Sequence, residues 1–274
     1  MRWLPDPMVD SCHTDHTFAV CAYKESAFLE DCIKSVVEQT VKSNVIVCTP
    51  TPCDFITNIC KKYDLPLFIN TKEDADAQDS WNFALQSAGT KYVTICHQDD
   101  CYDPRYFETV RKYFDDKLLF LHTNYKNIFT DENNNSTVRT SKNVVFKRII
   151  HFFFANKWQQ SSIFFKKCDL SFGNSICCPT CTYNKSNLEF PLFISKYRHG
   201  IDWDLYIKLA CRPGRVAYVR KPVLFKRIHV NSQTTDDVRS GVRKQEDIEI
   251  YSRLWPGFMS KILQKMLSRF YNAG

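Results

Sequence analysis

Short apolar runs alternate with helix-patterned segments from the N-terminal region to residue 114, and this alternation limits the fold more than any other feature of the chain. Residues 17–22, 44–48, 66–69 and 92–96 read as buried strands. In the segment 26–39, Leu29, Cys32, Ile33, Val36 and Val37 follow the spacing of one helical face, and Ser26 is placed to cap it. Helices are also predicted over 53–62, 77–88 and 104–114, with Trp81, Ala84, Leu85 and Ala88 sharing a side of the second of these. Four strand–helix alternations predict an α/β fold with a mostly parallel central sheet and helices on both faces.

In such a sheet, ligands bind beyond the carboxyl ends of the strands. The strand at 92–96 runs into His97-Gln98-Asp99-Asp100, with Pro104 at the start of the next helix. Two carboxylates there can hold a hard divalent cation, and such a cation neutralises phosphate oxygens. Taken alone, they fit a solvated turn equally well. No strand is followed by a glycine-rich loop, and the chain has only seven glycines, which excludes a dinucleotide fingerprint and a P-loop.

The pattern changes after residue 118. Strands are expected at 118–122, 161–166, 215–219 and 223–228, a turn at 131–136, and helices at 147–156 and 202–211. Residues 168–200, rich in cysteine, proline and polar side chains, read as a mobile loop region. The tail 258–270 is a basic amphipathic helix: Phe258, Met259, Ile262, Leu263, Met266, Leu267 and Phe270 share one face, with Lys261, Lys265 and Arg269 on the other. It fits a membrane interface or packing on its own domain.

The net charge of +7 favours anionic ligands or membrane surfaces. No basic run is dense enough to propose nucleic acid; the cations between Arg212 and Arg227 are interleaved with apolar residues and read as ordinary strand edges. The thirteen cysteines are scattered, many inside apolar runs, where a thiol acts as a small hydrophobe. Cys178 and Cys181 have zinc-knuckle spacing, but a second pair is missing, and free thiols in a loop are expected. Without a leader-like segment or an apolar stretch long enough to span a bilayer, a cytoplasmic location is expected, extending to an inner membrane surface.

Three acidic or basic elements then join: Asp99-Asp100, the helix start Gly200-Ile201-Asp202-Trp203-Asp204, and Arg227-Ile228-His229. With Ala22-Tyr23-Lys24-Glu25 after the first strand, their order and spacing resemble the family 2 glycosyltransferases of the GT-A fold over about residues 16–235. Cys32-Ile33-Lys34-Ser35-Val36 and Gln39-Thr40 are similar to the family's Ile-x-Ser-Val and Gln-Thr pattern, and Ser80-Trp81-Asn82 to its Ala-Arg-Asn.

The resemblance implies a Rossmann-like GT-A sheet with a C-terminal amphipathic helix. The donor half would span 1–125, the acceptor half 126–235 and a helical tail 236–274. It implies an inverting, metal-dependent transfer of sugar from a nucleotide diphosphate, UDP-sugar favoured, to a glycan or lipid-linked acceptor, as in bacterial surface polysaccharide assembly. Ala22, Tyr23, Glu25, Thr49, Trp81, Asn82, His97, Gln98 and Asp99 are then expected at the donor. Asp99 and His229 are expected on Mg²⁺ or Mn²⁺, and Asp202 as general base.

The sequence departs from the family at two places. Cys48-Thr49-Pro50-Thr51-Pro52 lacks the usual nucleotide-binding aspartate, which leaves Thr49, Thr51 or backbone groups to substitute, and His97 replaces the first aspartate of the metal motif. These departures leave a non-catalytic nucleotide- or glycan-binding module as the alternative. A nucleotidyltransferase would need a glycine-rich loop where Tyr23-Lys24-Glu25 stands.

Overall fold

The parallel half of the sheet forms where the apolar runs predict it. The computed structural model describes residues 14–131, 135–229 and 242–271, with side chains through 266. In chain order, β1 (His16–Cys21), α1 (Leu29–Val37), β2 (Asn44–Thr49), α2 (Asp54–Lys62), β3 (Leu67–Ile69), α3 (Ala77–Ser87) and β4 (Tyr92–His97) build one side. β1 pairs in parallel with both β2 and β4, and Cys21 lies level with Cys48 and His97. The carboxyl ends of three strands therefore meet along one edge. The central strands are buried on both faces, as parallel strands covered by helices must be.

The second side contains β5 (Cys101–Tyr102), α4 (Tyr106–Val110), β6 (Leu118–Thr130), β7 (Ser136–Arg139), α5 (Lys142–Ile150), α6 (Lys157–Ser161) and α7 (Ile163–Leu170). It continues through β8 (Cys181–Asn184), α8 (Ile201–Ala210), β9 (Arg215–Ile228), α9 (Val242–Ser252) and α10 (Gly257–Tyr271). The strand order is β3-β2-β1-β4-β8-β6-β9-β5, with β7 hairpinned onto β6. Six strands run one way; β5, β7 and β8 oppose their neighbours. Apolar side chains pack on both faces, under α1, α2 and α4 on one and α3 and α8 on the other.

The two-residue strand β5 matters out of proportion to its length. Cys101 pairs with Phe225 and Tyr102 with Leu224. This pairing carries the end of β9, and with it Arg227 and His229, to the end of β4.

Several sequence expectations are corrected. Residues 161–166, read as a strand, enter helix α7; a short apolar run does not distinguish the two states. The expected loop 168–200 contributes β8 to the middle of the sheet, which its polar sequence concealed. Its polar side chains are satisfied inside: the Thr182 hydroxyl meets that of Thr94 at 2.6 Å, and Asn184 Nδ2 donates to the Leu118 carbonyl. Cys177, Cys178 and Cys181 are thus buried rather than displayed in a loop, and the described cysteines form no disulfide.

The segments 215–219 and 223–228 are one strand, continuous across irregular register with β6. The strand begun at 118 runs on to Thr130, and the helix expected from 147 starts at Lys142, where Ser141 caps it by accepting from Val144 N. The 104–114 segment is a short α-helix followed by a 3₁₀ turn. Among the described residues, no helix is long and apolar enough to cross a membrane.

Candidate active site

The turn after β1 is built by cross-strand contacts. Ala22 is buried, its N–H donated to the Cys48 carbonyl at 2.8 Å. Tyr23, half exposed, forms a reciprocal pair with Gln98: Tyr23 N donates to Oε1 at 2.8 Å, and Nε2 donates to the Tyr23 carbonyl at 3.1 Å. Lys24 has φ +52°, a left-handed conformation that costs a lysine about 1 kcal/mol. Thr51 Oγ1 holds it there by accepting Lys24 N at 2.7 Å. Thr49 is fully buried, and its hydroxyl accepts Thr51 N at 3.1 Å. Glu25 is exposed beside this turn.

Asp99 lies at the centre of the next group. Its Oδ1 accepts the Ser26 hydroxyl at 3.3 Å, and its Oδ2 stands 3.3 Å from His229 Nε2. Ser26 also accepts Phe28 N, so it ends the turn and α1 starts only at Leu29, not at the expected cap. Arg227 fixes the group from below. Its Nε donates to the Asp99 carbonyl at 3.0 Å, its Nη2 reaches Asp31 at 3.2 Å, and its guanidinium lies 4.4 Å from the Phe28 ring centre.

The two adjacent carboxylates differ sharply. Asp100 is buried, and its Oδ1 accepts Arg227 N at 2.9 Å. Burial pushes its carboxyl up to about 7, against the pull of Lys226 and the Arg227 N–H. Asp99 is about one-third exposed and turns toward His229. Asp99 is therefore the more available of the two carboxylates, while Asp100 holds β9.

His97 stacks on Trp81, with centroids 5.5 Å apart and planes 6° from parallel. Burial, then Lys226, lowers its pKa to about 4, which keeps the ring neutral. Its Nε2 is buried without a hydrogen-bond partner among the described residues. Asn82 is turned elsewhere: Oδ1 accepts Leu192 N and Phe193 N, both at 2.8 Å, and Nδ2 donates to the Phe193 carbonyl at 2.7 Å. It clamps a loop rather than joining Asp99.

Asp202 sits in the first turn of α8, where its Oδ1 accepts Asn174 Nδ2 at 3.0 Å and Trp203 N at 2.8 Å. It does not touch Asp99. Lys226 lies between the two regions: the fields of Cys177, then Asp100 and Asp202, raise its pKa. Lys147, on α5, is also within electrostatic reach of Asp202, and burial lowers its pKa to about 8. The start of α8 is held from outside by Glu246 of α9, whose carboxylate accepts the N–H groups of Arg198, His199 and Gly200 at 2.8–2.9 Å.

Sequence reasoning assigned no role to Lys226, Lys147 or Glu246. Lys226 stands beside the Arg-x-His element and was within reach of inspection. Glu246 had no local signal, since it acts on backbone 46 to 48 residues away.

Among the described residues, no group of three or more His, Cys, Asp or Glu gathers as a metal centre. The Asp99–His229 pair nevertheless fits an ion that takes its other ligands from substrate. Neighbouring ligands about 2.1 Å from an octahedral ion stand about 3 Å apart, close to the 3.3 Å between Oδ2 and Nε2. A cavity of 430 Å³ opens beside His229, between the β6–β7 hairpin and the end of β9, lined in part by Phe129, Arg139 and Ile228.

The chain resembles TarS of S. aureus in complex with UDP-GlcNAc, with a TM-score of 0.59 and 16% identity over 94% of this chain and 72% of that one. It is similar to the mannosyltransferase PcManGT of Pyrobaculum calidifontis in complex with GDP-Man and Mn²⁺, with a TM-score of 0.60 and 13% identity over 99% and 79%. Glucosyl-3-phosphoglycerate synthase of Mycobacterium tuberculosis, in complex with Mn²⁺, UDP and glucosyl-3-phosphoglycerate, gives 0.56 and 12% over 87% and 79%. These likenesses establish the GT-A fold. A search of curated proteins returned no match. The family description "Glycosyl transferase family 2" fits residues 17–186, more than half of the chain, and the protein therefore belongs to the family 2 glycosyltransferases.

Proposed function

We propose that this glycosyltransferase is inverting and metal-dependent, takes its sugar from a nucleotide diphosphate, UDP-sugar favoured, and uses Asp202 as general base. The convergence of Asp99 and His229, which follow strands far apart in sequence, carries this reading, because it supplies one carboxylate and one imidazole where a donor diphosphate would lie. Mg²⁺ or Mn²⁺ bound there would offset the negative charge of the leaving diphosphate. Tyr23, Gln98 and Thr51 shape the turn that would meet the nucleotide, with Ala22, Glu25 and Thr49 behind or beside it. The Trp81–His97 stack would form a wall of the donor site, with Asn82 holding the loop behind it.

Asp202 would accept the proton of the acceptor hydroxyl as that oxygen bonds to the anomeric carbon. The bond from that carbon to the diphosphate oxygen breaks on the opposite side, which inverts the centre and frees the nucleoside diphosphate. Lys226, within electrostatic reach of Asp202 and Asp100, would help to steady the base and the departing charge. Residues to 125 would serve the donor and 126–235 the acceptor, a glycan or lipid-linked sugar of surface polysaccharide assembly. The exposed apolar side chains of α10 suit an acceptor presented at a membrane.

The test is an Asp202→Asn variant assayed for donor binding and for nucleoside diphosphate release with water as acceptor. Retained binding with release lost supports the base assignment. Release at the wild-type rate removes Asp202 from the chemistry.

A further inference from the structure

The outer face of residues 142–167 is apolar where a protein surface is ordinarily mixed. α5 buries Val144, Lys147 and Ile150 and turns Val145 and Ile149 outward, and Phe152, in the 3₁₀ turn (His151–Phe154) that follows it, is 71% exposed. Trp158 and Phe164, 70% and 68% exposed, continue the surface across α6 and α7. Ring contacts make it continuous: Phe152–Phe153 at 6.3 Å, Phe153–Phe165 at 6.4 Å, Trp158–Phe165 at 5.2 Å and Phe164–Phe165 at 5.3 Å. Single exposed apolar residues need no explanation, but a contiguous aromatic patch marks an interaction surface.

The charge pattern says what it meets. Residues 133–168 include seven lysines and arginines and no carboxylate. Lys142, Lys157 and Lys167 are exposed around the rings. α10 packs against α5 and has the same character: Ser260 and Gln264 are buried, while Phe258, Ile262 and Met266 face out beside Lys261 and Lys265. Residues 256–274 also lack any carboxylate. A symmetric contact between two copies would set these cations against each other. An anionic surface with an apolar interior satisfies both rings and lysines.

We propose that the aromatic face of α5, α6 and α7 docks on an anionic lipid bilayer, with Phe152, Trp158 and Phe164 entering the headgroup layer and the surrounding lysines meeting lipid phosphates. This extends the membrane contact read from α10 and rests on neither the donor nor the base assignment. α5 would then show one side to the bilayer and the other, through Lys147, to the surroundings of Asp202. A lipid-linked acceptor would emerge beside the base.

The full chain should float with vesicles of phosphatidylcholine mixed with phosphatidylglycerol, less well at high salt, and weakly with phosphatidylcholine alone. The double variant Phe152→Ser/Phe164→Ser should bind at least about tenfold more weakly, since each ring contributes roughly a decade. Brominated lipids should quench wild-type fluorescence more than that of Trp158→Phe, a conservative change that preserves folding. Flotation of the double variant equal to wild type, equal quenching of Trp158→Phe, or no anionic-vesicle binding by wild type overturns the proposal. Loss of binding only in Phe258→Ser/Ile262→Ser would leave the contact to α10 and overturn it as well. A wild-type dimer that the Phe152/Phe164 variant dissolves would assign the face to a second copy instead.

Discussion

Glu246 closes the backbone of Gly200 onto α9, its Oε2 accepting the glycine N–H at 2.9 Å, two residues before Asp202. The same carboxylate takes the N–H groups of Arg198 and His199, so one side chain caps the helix that carries Asp202, the proposed base. Gly200 leaves room for this approach, since a Cβ there would come within 2.5 Å of Ile250 Cδ1. Asp204, in the first turn of α8, is tied to Arg253, just beyond the end of α9, as well as to Lys208.

Glu246 is therefore a positioning residue. Glu246→Ala removes three hydrogen bonds to a charged acceptor and should destabilise the fold by about 2 kcal/mol or more. Glu246→Gln keeps an acceptor oxygen and should fold, with kcat reduced more than the donor KM. Equal effects on both constants, or none, would contradict a role in placing Asp202.

Asp99 and Asp100 should respond in opposite ways. Asp99→Asn should abolish the metal-dependent part of donor binding, and Asp100→Asn should retain it, because an amide oxygen can still accept Arg227 N. Stability should separate them further. With its folded pKa about 7 and its ordinary value 3.8 in the unfolded chain, Asp100 holds a proton in the folded state that the unfolded state has lost between those limits. Wild-type stability should therefore fall as pH rises through this window, and Asp100→Asn should lose that component. Denaturant titration across the range checks it.

His16 predicts the reverse slope. It is buried between Ser43 and Thr94, at 2.7 and 2.8 Å, and burial lowers its pKa to about 3. Between there and its ordinary 6.5, the unfolded chain binds a proton that the folded chain does not. Its contribution is complete above pH 6.5 and is lost as pH falls toward 3. The difference in unfolding free energy between wild type and His16→Gln should change over this range with a slope approaching about one proton.

The stacked Trp81–His97 pair stands where the family resemblance places an arginine and an aspartate. Either single reversion, Trp81→Arg or His97→Asp, breaks a stack worth about 1 kcal/mol. The double variant should recover part of that loss through a new ion pair. A double-mutant cycle with no coupling would show that the two rings are merely neighbours.

The N-terminal, parallel half of the sheet was legible because its apolar runs and helical faces are strong local signals: β1, β2, β4 and α3 fall within a residue or two of their expected bounds. The approach of Asp99 and His229 was legible through motif order. β8 was not: Cys181 and Tyr183 alternate into the core, but the run is only four residues long within a stretch of prolines and polar side chains, and Thr94, Tyr106 and Leu118 receive its polar groups. The loop contacts of Asn82 were not legible either: nothing near it in sequence announces the loop at 192–193 that its amide holds. The tail's apolar face was correctly placed on a helix, yet three of its residues turn outward.

The central claim is that Asp99 and His229 hold a cation for a nucleotide-sugar donor. Thermal unfolding with UDP-, GDP- and CDP-sugars, with and without Mn²⁺, tests it most directly when run on wild type and Asp99→Asn together. The account predicts stabilisation by one nucleotide class, UDP favoured, that requires Mn²⁺ and disappears in Asp99→Asn. A shift that is independent of the metal, or that survives in Asp99→Asn, would contradict it.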